Sequence, residues 1–158
     1  APTRSGALPA VDLMDLCYSG KWTRDEMYKR ITKSGGFVDH LGTSDAIEVN
    51  EMIAKGDKYA KLIYDAFQYQ IAKEIGAMAV VLKGKVDAIV LTGGISHDKG
   101  LVANLTEQVG WIAPIEVRAG EFEMEALAAG GCRVLAGEEQ AKVYTGEKVF
   151  TNFDYLKQ

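Results

Sequence analysis

Val86-Asp87-Ala88-Ile89-Val90-Leu91-Thr92-Gly93-Gly94-Ile95-Ser96-His97-Asp98 joins a short apolar run, a glycine pair and a polar lead into the next amphipathic segment. The order reads as strand, turn and helix start. Ala88-Ile89-Val90-Leu91 is apolar at every position, as in a parallel strand covered on both faces, and so short a run favours strand over buried helix. Gly93 and Gly94 have no Cβ. They let the backbone turn sharply beyond the strand's carboxyl end, where open parallel sheets bind ligands, and let a flat or anionic ligand approach the main chain. Two adjacent glycines also suit any strand-to-helix connection, so the pair alone identifies no chemistry. The spacing is not Gly-x-Gly-x-x-Gly, and no Gly-x-x-x-x-Gly-Lys-Ser/Thr sequence occurs. A P-loop enzyme is disfavoured.

The totals place this stretch in a globular chain. With 158 residues, 47% of them apolar, the composition is that of one domain able to bury a core. A net charge of −4, interspersed along the chain, offers no basic stripe for nucleic acid. No apolar run approaches the roughly 20 residues needed to cross a bilayer, and the opening residues lack a signal pattern, so a cytoplasmic address is the default expectation. Cys17 and Cys132 have no metal spacing and sit among apolar residues. They read as buried free thiols.

Outward from the central stretch, hydrophobic spacing and caps divide the chain. Pro9 is placed to open a short helix to about Ser19. Thr23 and Glu26 have capping-box spacing and predict a helix from about 24 to 33, closed by Gly35-Gly36. Thr43 or Ser44 is expected to cap another, running to Gly56. Asp57 opens the longest segment, from 57 to 83, about 40 Å of helix at 1.5 Å per residue. Ile63, Phe67, Ile71, Ile75, Met78 and Leu82 mark its apolar face. Its end, Ala77 to Leu82, is apolar all round and is expected to be buried against the sheet or another subunit. Asp98 to about Val109 reads as a helix and Ile115 to Arg118 as a second strand. Another helix follows from about Glu121 to Ala136, with Gly130 and Gly131 inside it, where close packing or a local break is expected. A last short helix is expected near Glu138 to Tyr144.

Two parallel strands make a poor sheet alone, because buried strands need neighbours for their backbone groups. The expectation is that the chain is the later part of a larger α/β protein whose missing strands come from upstream residues or another chain.

Five segments in order carry a resemblance: Arg4-Ser5-Gly6; Gly42-Thr43; Tyr69-Gln70-x-x-Lys73-Glu74-Ile75-Gly76-Ala77; Asp87 to Ile95; and Gly120-Glu121-x-Glu123-Met124-Glu125-Ala126-Leu127-Ala128. Together they closely resemble the carboxyl-terminal part of butyrate kinases, which stand with acetate kinase in the acetate and sugar kinase, heat-shock chaperone and actin superfamily. The resemblance covers essentially the whole chain. It implies an α/β fold, a ribonuclease H-like (actin-like ATPase) second domain, mostly helical here with a small parallel sheet lacking upstream strands. Residues 1–158 would form one domain, the nucleotide-binding part of a two-domain kinase. The implied reaction moves the γ-phosphoryl of ATP to the carboxylate of a short-chain fatty acid, reversibly, with ATP/ADP and Mg²⁺ as cofactors. Acetate, propionate or branched-chain acid kinases are alternatives, as is a noncatalytic nucleotide-binding and dimerisation fragment.

The resemblance also implies roles for particular residues. Arg4 matches an arginine that contacts the transferring phosphoryl group, though an exposed arginine in a loop is the plain alternative. Gly93, Gly94 and Ile95 match an adenosine-binding motif. Glu123 lies near a glutamate implicated in holding Mg²⁺, where Glu121, Glu123 and Glu125 otherwise stabilise a helix amino terminus. His97 either touches ribose or caps the following helix, and His40 is expected to be structural. The implied partners are ATP and a short-chain carboxylate, with a homodimer or higher homo-oligomer and neither nucleic acid nor membrane.

Overall fold

The computed structural model describes residues 2–146. The chain divides into two compact units after Gly120.

In the first unit the central stretch does form a strand, β1 (Ile89–Gly93), paired in parallel with β2 (Ile115–Ala119) so that Ile89 faces Ile115 and Gly93 faces Ala119. Six helices accompany them: α1 (Ala10–Tyr18), α2 (Arg24–Thr32), α3 (Phe37–Leu41), α4 (Ala46–Ala54), α5 (Lys58–Val81) and α6 (Lys99–Val109). The crossover from β1 to β2 runs through α6, which buries Leu101, Leu105 and Val109 at the i, i+4, i+8 spacing of one helix face. α5 packs between α4 and α6. Phe37, Val49, Tyr64, Ala72 and Ile89 join the α6 residues in one hydrophobic core.

Caps explain where the helices start. Thr23 and Glu26 form the expected capping box: the Glu26 N–H donates to Thr23 Oγ1 at 3.3 Å, and the Thr23 N–H donates to Glu26 Oε2 at 2.7 Å. The start of α4 departs from expectation. Asp45, not Thr43 or Ser44, is the cap, its Oδ1 accepting from the Ile47 N–H at 2.8 Å. Thr43 Oγ1 instead accepts from the Asp45 N–H. A carboxylate outcompetes a hydroxyl for the orphan N–H groups of the first turn. α3 is too short to show a helical period, and it lies between Gly36 (φ 60°) and Gly42 (φ 76°).

The long helix is found where its periodicity put it, but its burial differs. Ala60, Tyr64, Gln68 and Ala72 form the buried stripe, while Ile63, Phe67, Ile71 and Ile75 pack as half-buried flanks. The end from Ala77 to Leu82 is not buried against the sheet: Met78, Val80, Val81 and Leu82 are exposed in this chain. Its neighbours are sparse: Ile75, Met78 and Leu82 line an apolar hollow of about 320 Å³ with Val86, Ile89 and Ile112, and Gly76, Ala79 and Val80 line a second with Trp111 and Ile112. Five-residue strands are too short to cover more. Cys17 is likewise exposed rather than buried, because α1 has no buried residue.

In the second unit α7 (Glu123–Leu135) is unbroken through Gly130 and Gly131, and neither glycine has a neighbour closer than 3.7 Å to where a Cβ would stand. The expected break or close packing is absent among the described residues. Cys132 on this helix is exposed. The helix expected near Glu138 to Tyr144 does not form. Gly137 adopts φ 74°, and the Glu138 N–H turns back to the Arg133 carbonyl at 2.9 Å. That left-handed stop ends α7.

Candidate active site

The turn beyond β1 is built as main chain open to one side. Gly93 has φ 83°, in the region that favours glycine, and a Cβ added at Gly93 or Gly94 would meet nothing within 4 Å. That open space leaves the main chain of both glycines accessible from outside. Three sets of hydrogen bonds hold the turn. Gly93 and Gly120 exchange reciprocal backbone bonds at 3.2 Å. Buried Ser96 donates from Oγ to the Thr92 carbonyl at 2.8 Å. The Asp98 N–H donates to the Ile95 carbonyl at 3.1 Å. Gly94–His97 form one short 3₁₀ turn, with His97 exposed at its end.

His97 is not the helix cap. Asp98 is, with Oδ1 accepting from the N–H groups of Gly100 at 2.8 Å and Leu101 at 3.1 Å. A carboxylate one residue nearer the helix satisfies two orphan donors that an imidazole cannot reach together. Asp98 Oδ2 accepts from Asn50 Nδ2 at 2.8 Å and from the Tyr64 hydroxyl. Partial burial pushes the Asp98 carboxyl up, but the hydrogen bonds from Tyr64, Asn50, Leu101 and Gly100 outweigh it and hold it below the usual carboxylate range. Burial first, then the bond to Asp98 and its charge, push the Tyr64 hydroxyl far above its usual range, so it stays a donor.

Arg4 lies in the loop before α1. Backbone bonds fasten this loop to the end of α2, the turn after it and the start of α3: Ser5 N–H to the Ile31 carbonyl at 3.1 Å, Gly35 N–H to the Thr3 carbonyl at 3.0 Å, and Val38 N–H to the Pro2 carbonyl at 3.1 Å. The approach is so close that a Cβ on Gly35 would stand 2.6 Å from the Ser5 nitrogen. Gly35 is therefore a positioning element for Arg4, which its reading as a helix terminator missed. Arg4, His40 and Gln70 line a cavity of about 200 Å³ whose apolar wall includes Phe37, Ile63 and Phe67. Arg4 is exposed and makes no ion pair or hydrogen bond among the described residues. His40 Nδ1 lies 2.8 Å from the Tyr59 hydroxyl, in keeping with a structural role, and the residue also lines the Arg4 cavity. No residue of the Gly93–His97 turn lines that cavity.

Glu123 opens α7 with Glu125 in the same first turn, both exposed. Among the described residues no three His, Cys, Asp or Glu side chains gather as a metal cluster. Two exposed carboxylates in one helical turn form no cage for Mg²⁺, and what they offer such an ion is contact through its water shell. No helix among the described residues is long and apolar enough to cross a membrane.

Comparison with known proteins agrees with this architecture. The chain is 53% identical over 144 residues to the probable butyrate kinase 2 of Caldanaerobacter subterraneus, covering 91% of this chain and 41% of that protein. The acetate kinase of Porphyromonas gingivalis superposes with a TM-score of 0.75 at 21% identity, over 85% of this chain and 40% of that one. A propionate kinase of Francisella tularensis gives 0.66 at 25% identity, over 76% of this chain and 37% of that one. The chain thus spans about two fifths of the length of these relatives. Residues 2–145 match the family described as the acetokinase family. On that match, across nearly all the described residues, and on an actin-like ATPase fold shared with acetate and propionate kinases, the chain belongs to the acetokinase family.

Proposed function

We propose that this chain is the nucleotide-binding part of a kinase that transfers the γ-phosphoryl of ATP to a short-chain carboxylate, with butyrate as the acceptor, and that also runs from acyl phosphate and ADP. The observation that carries the reading is the open main chain at Gly93 and Gly94, just past the carboxyl end of a parallel strand, in a chain 53% identical to a probable butyrate kinase. There the nucleoside rests against backbone, and Ile95 and His97 flank it.

Phosphoryl transfer passes through a loose, anionic transition state, so the protein's tasks are alignment and charge compensation. Arg4 answers the second. Its guanidinium has no partner of its own among the described residues, and its planar fork offers the equatorial oxygens paired donors. Glu123, on the second unit, would lend a carboxylate to the water shell of a Mg²⁺, whose charge would offset that of phosphate. The exposed apolar end of α5 supports a further role in subunit contact, in a homodimer or higher homo-oligomer.

Hydroxamate trapping of acyl phosphate by the full-length protein, across acetate, propionate, butyrate and branched acids, tests the assignment. Trapping fastest with butyrate is expected. No product with any acid would sink the kinase reading.

A further inference from the structure

The turn that carries Gly93 and Gly94 rests on a polar strut drawn from three helices. Asn50 of α4 and Tyr64 of α5 both donate to Oδ2 of Asp98, while Oδ1 caps α6. Capping needs only the first oxygen. The second accepts two side-chain donors, which a helix start does not require, and one of them is the hydroxyl of a tyrosine only 4% exposed.

Packing alone does not call for that hydroxyl. The Tyr64 ring lies 5.8 Å from the Phe37 ring and 6.0 Å from the Phe67 ring, contacts that phenylalanine would keep. What the oxygen adds is a fixed spacing between α5 and the residue that ends the Gly93–His97 turn. The other bonds of the turn run to Gly120, Thr92 and Ile95, within the sheet layer or the turn itself. Ile95 packs against the helical core through apolar contact alone, and Asp98 is the hydrogen-bonded tie to the helical layer.

We propose that Tyr64, assisted by Asn50, is a positioning residue for the nucleotide: acting through Asp98, it sets the main chain of Gly93–His97 at the height the nucleoside needs, without touching the ligand. The inference rests on the nucleotide reading of that turn. In the full-length protein Tyr64→Phe removes one oxygen and keeps the ring. The ADP Kd by calorimetry and the ATP KM are expected to rise about tenfold, the worth of one hydrogen bond to a charged group, with kcat within about twofold. Amide exchange at residues 94 to 98 should accelerate in step.

Asn50→Leu removes the second donor and should act in the same direction, less than additively with Tyr64→Phe. It carries the test if Tyr64→Phe fails to fold. Val109→Ala, at the far end of α6, is the control for simple destabilisation: it should lower the thermal midpoint without moving ADP affinity. Unchanged ADP affinity in a folded Tyr64→Phe or Asn50→Leu protein, or an equal loss in Val109→Ala, overturns the positioning role. Absence of ADP binding in the unsubstituted protein overturns the nucleotide reading and this role together, whereas normal binding there with unmoved variants removes this role alone.

Discussion

A side chain at Gly94 has room in the folded chain, since nothing lies within 4 Å of where its Cβ would be. Gly94→Val should therefore leave the thermal midpoint nearly unchanged and abolish ADP binding, because the new methyls occupy the space the ligand needs. Calorimetry and a melting curve on the same sample check both halves; retained ADP affinity would count against the site. Arg4→Ala is expected to lower turnover by at least about a hundredfold with ATP KM little changed, the usual cost of losing one electrostatic contact made in the transition state. Near-normal turnover would remove Arg4 from the chemistry. Gly35→Ala acts on the same arginine from behind. Its Cβ would sit 2.6 Å from the Ser5 nitrogen, so the loop must shift. A misplacement of that kind is expected to cost about ten- to a hundredfold in kcat, read by steady-state kinetics against a melting curve.

At the scale of elements, Asp98 links α4, α5 and α6, and its charge state matters to all three. Because its carboxyl is held below the usual range in the folded chain, the stability it contributes is fully present above the unfolded value of about 3.9 and is lost as pH falls through the folded value. Asp98→Asn keeps an oxygen for the cap but turns an amide N–H₂ group toward two donors, Tyr64 and Asn50. Urea unfolding should show a loss of about 1 to 3 kcal/mol at neutral pH and a shallower decline of stability in acid. An acid limb as steep as that of the unsubstituted protein would show that another carboxylate governs it. The polar character of this junction also explains why the helix start could be read while its partners could not. Asp98 stands at the beginning of an amphipathic segment, whereas Tyr64 and Asn50 are 34 and 48 residues away in sequence, and nothing local marks them.

For the whole molecule, the outer surface of α5 is the feature for which composition and periodicity left two covers open, the sheet or another subunit, and the sheet of this chain is not the one. Val80 and Val81 are 77% and 70% exposed, although an all-apolar helix end reads as buried. The physical reason is that periodicity reports what a helix can bury, not which element is present to bury it against. If this face is the subunit contact proposed above, Val80→Lys in the full-length protein should halve the sedimenting mass while ADP affinity is kept. An unchanged mass would place the contact elsewhere. The sheet poses the same question in smaller form, since Val90 and Val117 on its two strands are also exposed.

The sequence by itself determined the local skeleton: the capping box at Thr23 and Glu26, the span of α5, the strand-turn-helix order around Gly93 and Gly94, and the family those ordered motifs resemble. These are consequences of backbone chemistry and short-range spacing, which act between residues near in the chain. Tertiary structure alone decided that Asp45 rather than Thr43 or Ser44 starts α4, and that Asp98 rather than His97 caps α6. It also decided that Gly35 lets the Arg4 loop lie against the turn after α2, and that Tyr64 and Asn50 meet the end of the glycine turn. Each depends on which of several competent donors, acceptors or glycines the packing brings within about 3 Å, and hydrogen bonds fall off too steeply with distance for sequence to choose among them.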